Sequence, residues 1–288
     1  MTSPKMSRRA ALSAGAALPL AAATLPLASA ARADGHAPSG TAHSFELGAF
    51  KVSTLLAGTR AVTDDPQGIF GMNISDEEFA TVSQNNFIPD DKVQFFFTPT
   101  VVNTGSEVIL FDTGLNAGGI TGALAAAGYA PGDIDKVVIT HMHGDHIGGL
   151  SGDDGAPTFA NASYIMGQAE FDHWSGTDNG GFAAKVAPLA EKTTFVGDGA
   201  SVASGITGMD TSGHTPGHMA YMLESGSEQL LLTADMANHH VWSVAYPDWE
   251  VRFDMDKEAA AATRRRVLGM LAADRVPMIG YHLSLIHI

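Results

Sequence analysis

A chain of 288 residues, 45% of them hydrophobic, is long enough for a single domain of ordinary size with a substantial core. Sixteen basic residues against 31 acidic ones give a net charge of −15, which repels polyanions and disfavours a nucleic-acid partner. Cysteine is absent, so disulfides and thiolate metal ligands are both excluded.

The first 33 residues have the three parts of an export signal. A basic stretch carries Lys5, Arg8 and Arg9, an alanine- and leucine-rich run covers 10–28, and Ala28-Ser29-Ala30 and Ala31-Arg32-Ala33 offer small-residue cleavage sites. Ser7-Arg8-Arg9 followed by Ala10-Ala11-Leu12 resembles a twin-arginine signal without its usual aromatic residue. Pro19, Pro26 and the alanine content make the run a poor membrane span. The expectation is an exported protein, periplasmic or secreted, with no stable membrane anchor. Losing Lys5, Arg8, Arg9 and Arg32 would leave 12 basic against 31 acidic residues, a net −19. Residues 34–43 read as a flexible mature N-terminus with His36 and His43 as solvated bystanders.

A folded domain is expected over 44–283. Strands are predicted at 45–56, 93–102 and 107–111, the last two joined through Asn103-Thr104-Gly105-Ser106 as a hairpin. Between the first two, Ser75 before Asp76, Glu77 and Glu78 reads as the N-cap of a helix. The rest of 57–92 has no clear periodicity, and Phe70, Phe79 and Phe87 there are read as packing before substrate contact. A short helix follows at 120–127, stopped by Gly128, and then an apolar strand at 136–140. Farther on come a strand at 163–166, helices at 168–174 and 182–192, and strands near Thr193, near Met209, at 219–224 and at 229–234. A long helix at 256–273 carries Arg264-Arg265-Arg266, read as a solvated face. This succession is a mixed α/β chain without a short-period repeat.

The strand at 136–140 delivers the most informative segment, His141-Met142-His143-Gly144-Asp145-His146. Imidazole nitrogen and carboxylate oxygen are the ligands that zinc and similar divalent ions accept. On a tight loop His141 and His143 can converge on one ion, leaving Asp145 and His146 to face a second. Other candidates follow strands or glycine turns: Gly213-His214-Thr215-Pro216-Gly217-His218, Asp235 after the apolar run 230–234, and His282 after Met278-Ile279-Gly280-Tyr281.

Together these segments resemble the metallo-β-lactamase-fold hydrolase superfamily, and within it the methyl parathion hydrolase-like and quorum-quenching lactonase-like members. The resemblance implies an α/β fold, a four-layer αβ/βα sandwich, with two divalent metal ions, zinc foremost, at one edge. It puts His141, His143 and His218 on the first ion, Asp145, His146 and His282 on the second, and Asp235 between them. His214 and Thr215 then shape their loop, Gly148 and Gly149 let the backbone pass close by, and Asp112 supports a metal-bound imidazole through its other nitrogen. The implied chemistry is hydrolysis of a carboxyl ester, a lactone or an organophosphate triester by a metal-bridging hydroxide. Asp145 and Asp235 are its catalytic carboxylates, Asp145 passing a proton to the leaving group.

Antibiotic hydrolysis is disfavoured, because the cysteine-ligand branch is excluded and the other dinuclear branch usually lacks the bridging Asp. Lactonase relatives commonly have a Tyr three residues past that Asp; this chain has Asn238, which weighs against a lactone. The alternatives are a redox member of the same fold, sulfur dioxygenase-like, or a non-catalytic exported protein that binds a metal or ligand. Aromatic residues point to a small neutral or apolar substrate, with Trp174 and Trp242 expected in the pocket ahead of Phe95, Phe96, Phe97, Phe171 and Trp249. His173, His239 and His240 read as surface histidines, and a homodimer is left open. Residues 284–288 read as the non-native tail of a truncated chain, so His287 is not a ligand candidate.

Overall fold

Successive side chains of a strand point to opposite faces, so a strand apolar on both faces needs a packed layer on each side. A computed structural model of the chain describes residues 42–283 and meets that demand. The expected export signal at 1–33, residues 34–41 of the mature N-terminus and the tail at 284–288 lie outside the described residues.

In chain order the elements are β1 (Ala42–Leu47), β2 (Phe50–Leu55), β3 (Gly58–Val62), α1 (Asp76–Asn85), β4 (Val93–Phe97), β5 (Thr100–Asn103), β6 (Val108–Phe111) and α2 (Ala117–Ala126). Then come β7 (Lys136–Ile139), α3 (Gly144–Ile147), β8 (Ser163–Gly167), α4 (Gln168–Ser175), β9 (Thr193–Val196), β10 (Ser201–Ala203) and β11 (Ile206–Asp210). The last are β12 (Met219–Ser225), β13 (Glu228–Ala234), α5 (Lys257–Asp274) and β14 (Met278–Gly280). A seven-stranded sheet runs β1-β2-β5-β6-β7-β8-β9, a five-stranded sheet runs β10-β11-β12-β13-β14, and β3 pairs with β4 as a separate ribbon.

The alternation sorts the core into layers. Val52, Val102, Ile109, Phe111, Val138 and Ile165 face the second sheet, meeting Tyr221, Leu223, Leu230, Leu232 and Ile279. Their neighbours Val101, Leu110, Val137, Ile139, Tyr164 and Met166 face outward onto Ile120, Leu124 and Trp174 of α2 and α4. On the far side Ala220 and Leu231 pack against Val267 and Leu271 of α5. Helix, sheet, sheet and helix are the four layers expected. A fourth cluster, built on Phe70, Phe79, Phe95, Trp242 and Trp249, ties the β3–β4 ribbon and α1 to the segment after β13. Among the described residues no helix is long and apolar enough to cross a membrane.

Three predicted elements are divided in the structure. The strand at 45–56 is a hairpin turning at Gly48, whose φ of +57° and close approach to Ser225 favour glycine. Its first strand begins at Ala42, so Ala42 and His43 of the expected flexible segment pair with β2. The strand at 93–102 breaks at Thr98-Pro99: Pro99 has no N–H, and Thr98 donates its own to Tyr281 O, so the chain changes sheets there. The helix at 182–192 is a wide turn at Phe182–Val186 followed by a tight one at Ala187–Lys192, with Pro188 removing a donor.

Candidate metal centre

β6, β7, β8, β13 and β14 run parallel to their neighbours at several pairings, and their C-terminal ends lie along one edge of the sandwich. The loop after β7 brings His141, His143, Asp145 and His146, the end of β13 brings Asp235, and the residue pair after β14 ends in His282. Ligand sites outside the carboxyl ends of strands are general in such sheets. Two strand ends are held in left-handed backbone conformations, Asp112 at φ +62° and Ala234 at φ +45°. Each costs on the order of 1–3 kcal/mol, a strain common where side chains must be aimed at a site. Gly148 and Gly149 behind the loop lie so close to Leu115 O and Thr113 O that a Cβ would stand 2.2 Å from either oxygen.

The groups converge as two clusters. His141 Nε2 lies 3.1 Å from His143 Nδ1, which lies 3.0 Å from His214 Nε2. Asp145, His146, Asp235 and His282 form the second, with Asp235 Oδ1 3.2 Å from His146 Nε2 and Asp235 Oδ2 2.9 Å from His282 Nε2. Asp145 Oδ2 completes it at 3.3 Å from His282 Nε2 and 3.6 Å from His146 Nε2. Asp235 also reaches the first cluster, its Oδ2 3.5 Å from His214 Nε2 and 3.9 Å from His141 Nε2.

The expectation for His218 is corrected. Its Nε2 accepts the N–H of Asp235 at 3.1 Å and its Nδ1 lies 2.7 Å from Thr211 Oγ1, so the lone pair that a metal needs is already taken. His214 occupies the place expected of His218. Its Nδ1 lies 3.0 Å from Asp254 Oδ1, a contact that orients the ring with Nε2 turned to the cluster. His218 instead fixes the backbone that carries Asp235.

The donor set fits metal ions. Three imidazole nitrogens face one another at 3.0–3.1 Å between neighbours, close to the ~3.3 Å edge of a tetrahedron whose centre lies ~2.0 Å from each nitrogen. In the second cluster His146 Nε2 and Asp235 Oδ1 are buried without a hydrogen-bond partner, which is costly unless something else satisfies them. His141, His143 and His214 could hold one ion, and Asp145, His146 and His282 another, with Asp235 between.

The charge states agree with two kinds of cluster. Burial, reinforced by the neighbouring imidazoles, holds His141 well below the usual histidine range and His143 down to about 4, so both are neutral ligands. In the second cluster burial disfavours charge, but the carboxylates prevail. Asp235, Asp112 and Asp145 raise His146 well above its ordinary value, and Asp235 and Asp145 raise His282 to about 10. Burial likewise opposes ionisation of Asp145, yet His146 and His282 hold it down to about 2.

Without metal, His146 and His282 are therefore imidazolium at neutral pH, and a metal must displace their protons to bind. Zinc loading at pH 7.5 is expected to release about two protons per chain from these rings, and affinity is expected to fall as pH falls. Calorimetric titrations in buffers of different ionisation enthalpy measure this; a heat independent of the buffer would contradict it.

Supporting contacts lock the ligands. Asp112 accepts from His146 Nδ1 at 2.9 Å and from the Thr140 N–H and hydroxyl. Tyr281 lies over His146 with ring centroids 3.9 Å apart and donates its hydroxyl to Asp145 O at 2.6 Å. Asn238 donates to Asp235 Oδ2 at 3.0 Å. Glu170 on α4 is buried and accepts four hydrogen bonds: Met142 N–H and Trp174 Nε1–H on one oxygen, Thr215 Oγ1–H and Gly217 N–H on the other. It thereby clamps the 141–146 loop to the 213–218 loop. Sequence reasoning missed Glu170 and Asp254, since a lone acid on a helix or in a loop carries no motif.

A cavity of about 680 Å³ opens on the centre, lined by Ile69, Phe95, Phe97, Leu115, Phe253 and the ligand candidates His143, Asp145, His214, Asp235 and His282 among others. The expected tryptophans do not line it. Trp174 is spent on Glu170, with its ring 5.9 Å from His143, and Trp242 stacks on His239 within the core and bonds Ser83 Oγ. Trp242 borders a separate cavity of about 320 Å³ that shares His282 and Val62 with the first. The solvated reading of Arg264 is also corrected: it is fully buried, donating to Asp254 Oδ2 at 2.7 Å and to the carbonyls of Pro247 and Trp249.

The profile of the metallo-beta-lactamase superfamily matches residues 98–278, and the chain belongs to that superfamily. A probable metallo-hydrolase, YybB of Bacillus subtilis (strain 168), is 30% identical over 141 residues, 47% of this chain and 59% of its own length. An N-acyl homoserine lactonase of a Bacillus species is 32% identical over 117 residues, 40% of this chain and 44% of its own. The chain thus spans about half the length of these curated relatives. Among solved structures AidC, a dizinc quorum-quenching lactonase, has a TM-score of 0.77 at 24% identity, covering 86% of this chain and 92% of its own. The hydrolase AbOPH matches with the same TM-score and coverage at 23% identity, a likeness of fold.

Proposed function

We propose that the chain is a metal-dependent hydrolase of a carboxyl ester or lactone, with an organophosphate triester as the second substrate class. The observation that carries the reading is Asp235 set between two ligand clusters, with His146 Nε2 and Asp235 Oδ1 buried and unsatisfied beneath a cavity walled on one side by Phe95, Phe97 and Phe253. When bound, two divalent ions would activate a water near neutral pH and polarise the substrate's carbonyl or phosphoryl oxygen. The protein's own part is to hold seven ligands rigidly, to exclude bulk water with Phe95, Phe97 and Phe253, and to keep a carboxylate at Asp145 as proton carrier to the leaving group. The lactonase among the curated relatives and the dizinc lactonase among the folds support a lactone first and zinc as the metal. Residues 1–33 support export, and the Phe95, Phe97 and Phe253 side of the cavity supports a small substrate with an apolar portion.

A zinc-reconstituted chain is expected to turn over at least one of a panel of acyl lactones, aryl esters and phosphotriesters, and chelation is expected to abolish it. Absence of turnover across the panel at full metal loading would reject the hydrolase reading.

A further inference from the structure

Two guanidinium groups border the active cavity, and among the described residues neither is held by an ion pair or a side-chain hydrogen bond. Arg60 on β3 is the cross-strand partner of Phe95 on β4, and both residues line the cavity. Phe95 meets Phe253 edge-on at 6.1 Å, and the Arg252 guanidinium lies over the Phe253 ring at 5.8 Å. Phe95 also stands edge-on to His282 at 5.4 Å. An apolar wall therefore leads from the metal centre outward and is flanked by two cations.

Both side chains are exposed at the cavity rim, so their charged ends are free to meet a ligand. Arg264, Arg265 and Arg266 each hold a protein oxygen, whereas among the described residues Arg60 and Arg252 make neither an ion pair nor a side-chain hydrogen bond. Asp64 and Asp65 border the same cavity without pairing to either, and Asp65 accepts the Gly68 N–H to cap its own turn. A guanidinium presents a planar fork suited to a carboxylate or phosphate, and the edge of an apolar wall is where such a fork gains most from a ligand.

We infer that Arg60 and Arg252 bind an acid group at the far end of the substrate's apolar portion, so that the enzyme selects amphiphilic esters or lactones bearing a carboxylate-like anion. The inference rests on the hydrolase reading for its substrate class and narrows the low-polarity expectation. The reacting carbonyl lies at the metal centre, the methylene chain on Phe95 and Phe253, and the anion between the two forks.

Hexanoate and adipate, six-carbon chains ending in a methyl group or a second carboxylate, separate the two ends. Each is titrated calorimetrically into the zinc-loaded chain at low ionic strength. Adipate is expected to bind about ten-fold tighter than hexanoate, an advantage shrinking with added salt, and in the Arg60→Gln/Arg252→Gln variant the ratio is expected to collapse toward one. A ratio near one in the native chain, or an advantage that survives the double substitution, overturns the inference whether or not the variant is well folded. Because the readout is binding, an adipate preference in a chain that hydrolyses no ester would reject the hydrolase reading while leaving the anion site in place.

Discussion

Replacing Asp235 by alanine is expected to lower kcat/KM by about 1,000-fold or more on whichever ester or lactone the native chain hydrolyses. Its two oxygens face different clusters, Oδ1 toward His146 and Oδ2 toward His282, His214 and His141. On the proposed two-ion reading, loss of the carboxylate would remove the one ligand placed between the two clusters. A metal ion acting as Lewis acid is worth several kcal/mol in the transition state, and each 1.36 kcal/mol is ten-fold in rate, which sets the scale. Metal analysis gives a second readout, since the variant is expected to retain fewer than two zinc ions per chain after gel filtration. Asp235→Asn keeps the volume and separates lost ligation from a lost fold. Native turnover and native metal content in either variant would remove the bridging role.

Asp254→Asn is expected to have the largest effect on stability. The carboxylate joins the fully buried Arg264 guanidinium at 2.7 Å to His214 Nδ1 at 3.0 Å, and neither partner sees solvent. Removing its charge leaves Arg264 buried and uncompensated, which costs about 3–5 kcal/mol. For a domain of this size that lowers Tm by roughly 10 °C, as calorimetry or circular dichroism would record. The double substitution Asp254→Leu with Arg264→Met is expected to regain most of that stability, because a buried pair and an apolar pair of similar volume are often equivalent. It is not expected to regain metal affinity: His214 still lacks the acceptor that orients it, and such contacts are worth about 10–100-fold. Recovery of both together would make the Asp254 contact purely structural.

Much of the centre was legible in the sequence because its ligands sit where chain geometry leaves little choice. Four of them fall within six residues after one apolar strand, and Asp235 and His282 each follow another. The choice between His214 and His218 was not legible. Both lie in one glycine-proline turn, four residues apart, and the outcome depends on which lone pair a distant backbone N–H occupies, a contact between β13 and the start of β12 that spacing does not encode. The tryptophans misled for a similar reason. Proximity in sequence to ligand segments is not proximity to substrate: Trp174 lies one turn from Glu170 on α4 and Trp242 joins Phe70 and Phe79 in the core. Arg264 read as solvated because a run of arginines usually is; the middle of α5 buries one of the three because Asp254, Pro247 and Trp249 offer it acceptors.

Among the strands, the alternation that separates Val137 and Ile139 from Val138 could be read directly, and it supplies the two-faced sheet. A glycine and a proline mark the breaks at Gly48 and at Thr98-Pro99, but where the chain goes after each is fixed by a tertiary contact, with Ser225 in one case and Tyr281 in the other.

Anomalous diffraction at the zinc edge from crystals of the zinc-loaded chain tests the central claim most directly. Two peaks are expected, one within bonding distance of His141, His143 and His214, the other of Asp145, His146 and His282, with Asp235 reaching both. A peak ligated by His218, or zinc bound away from Asp235, would contradict the account.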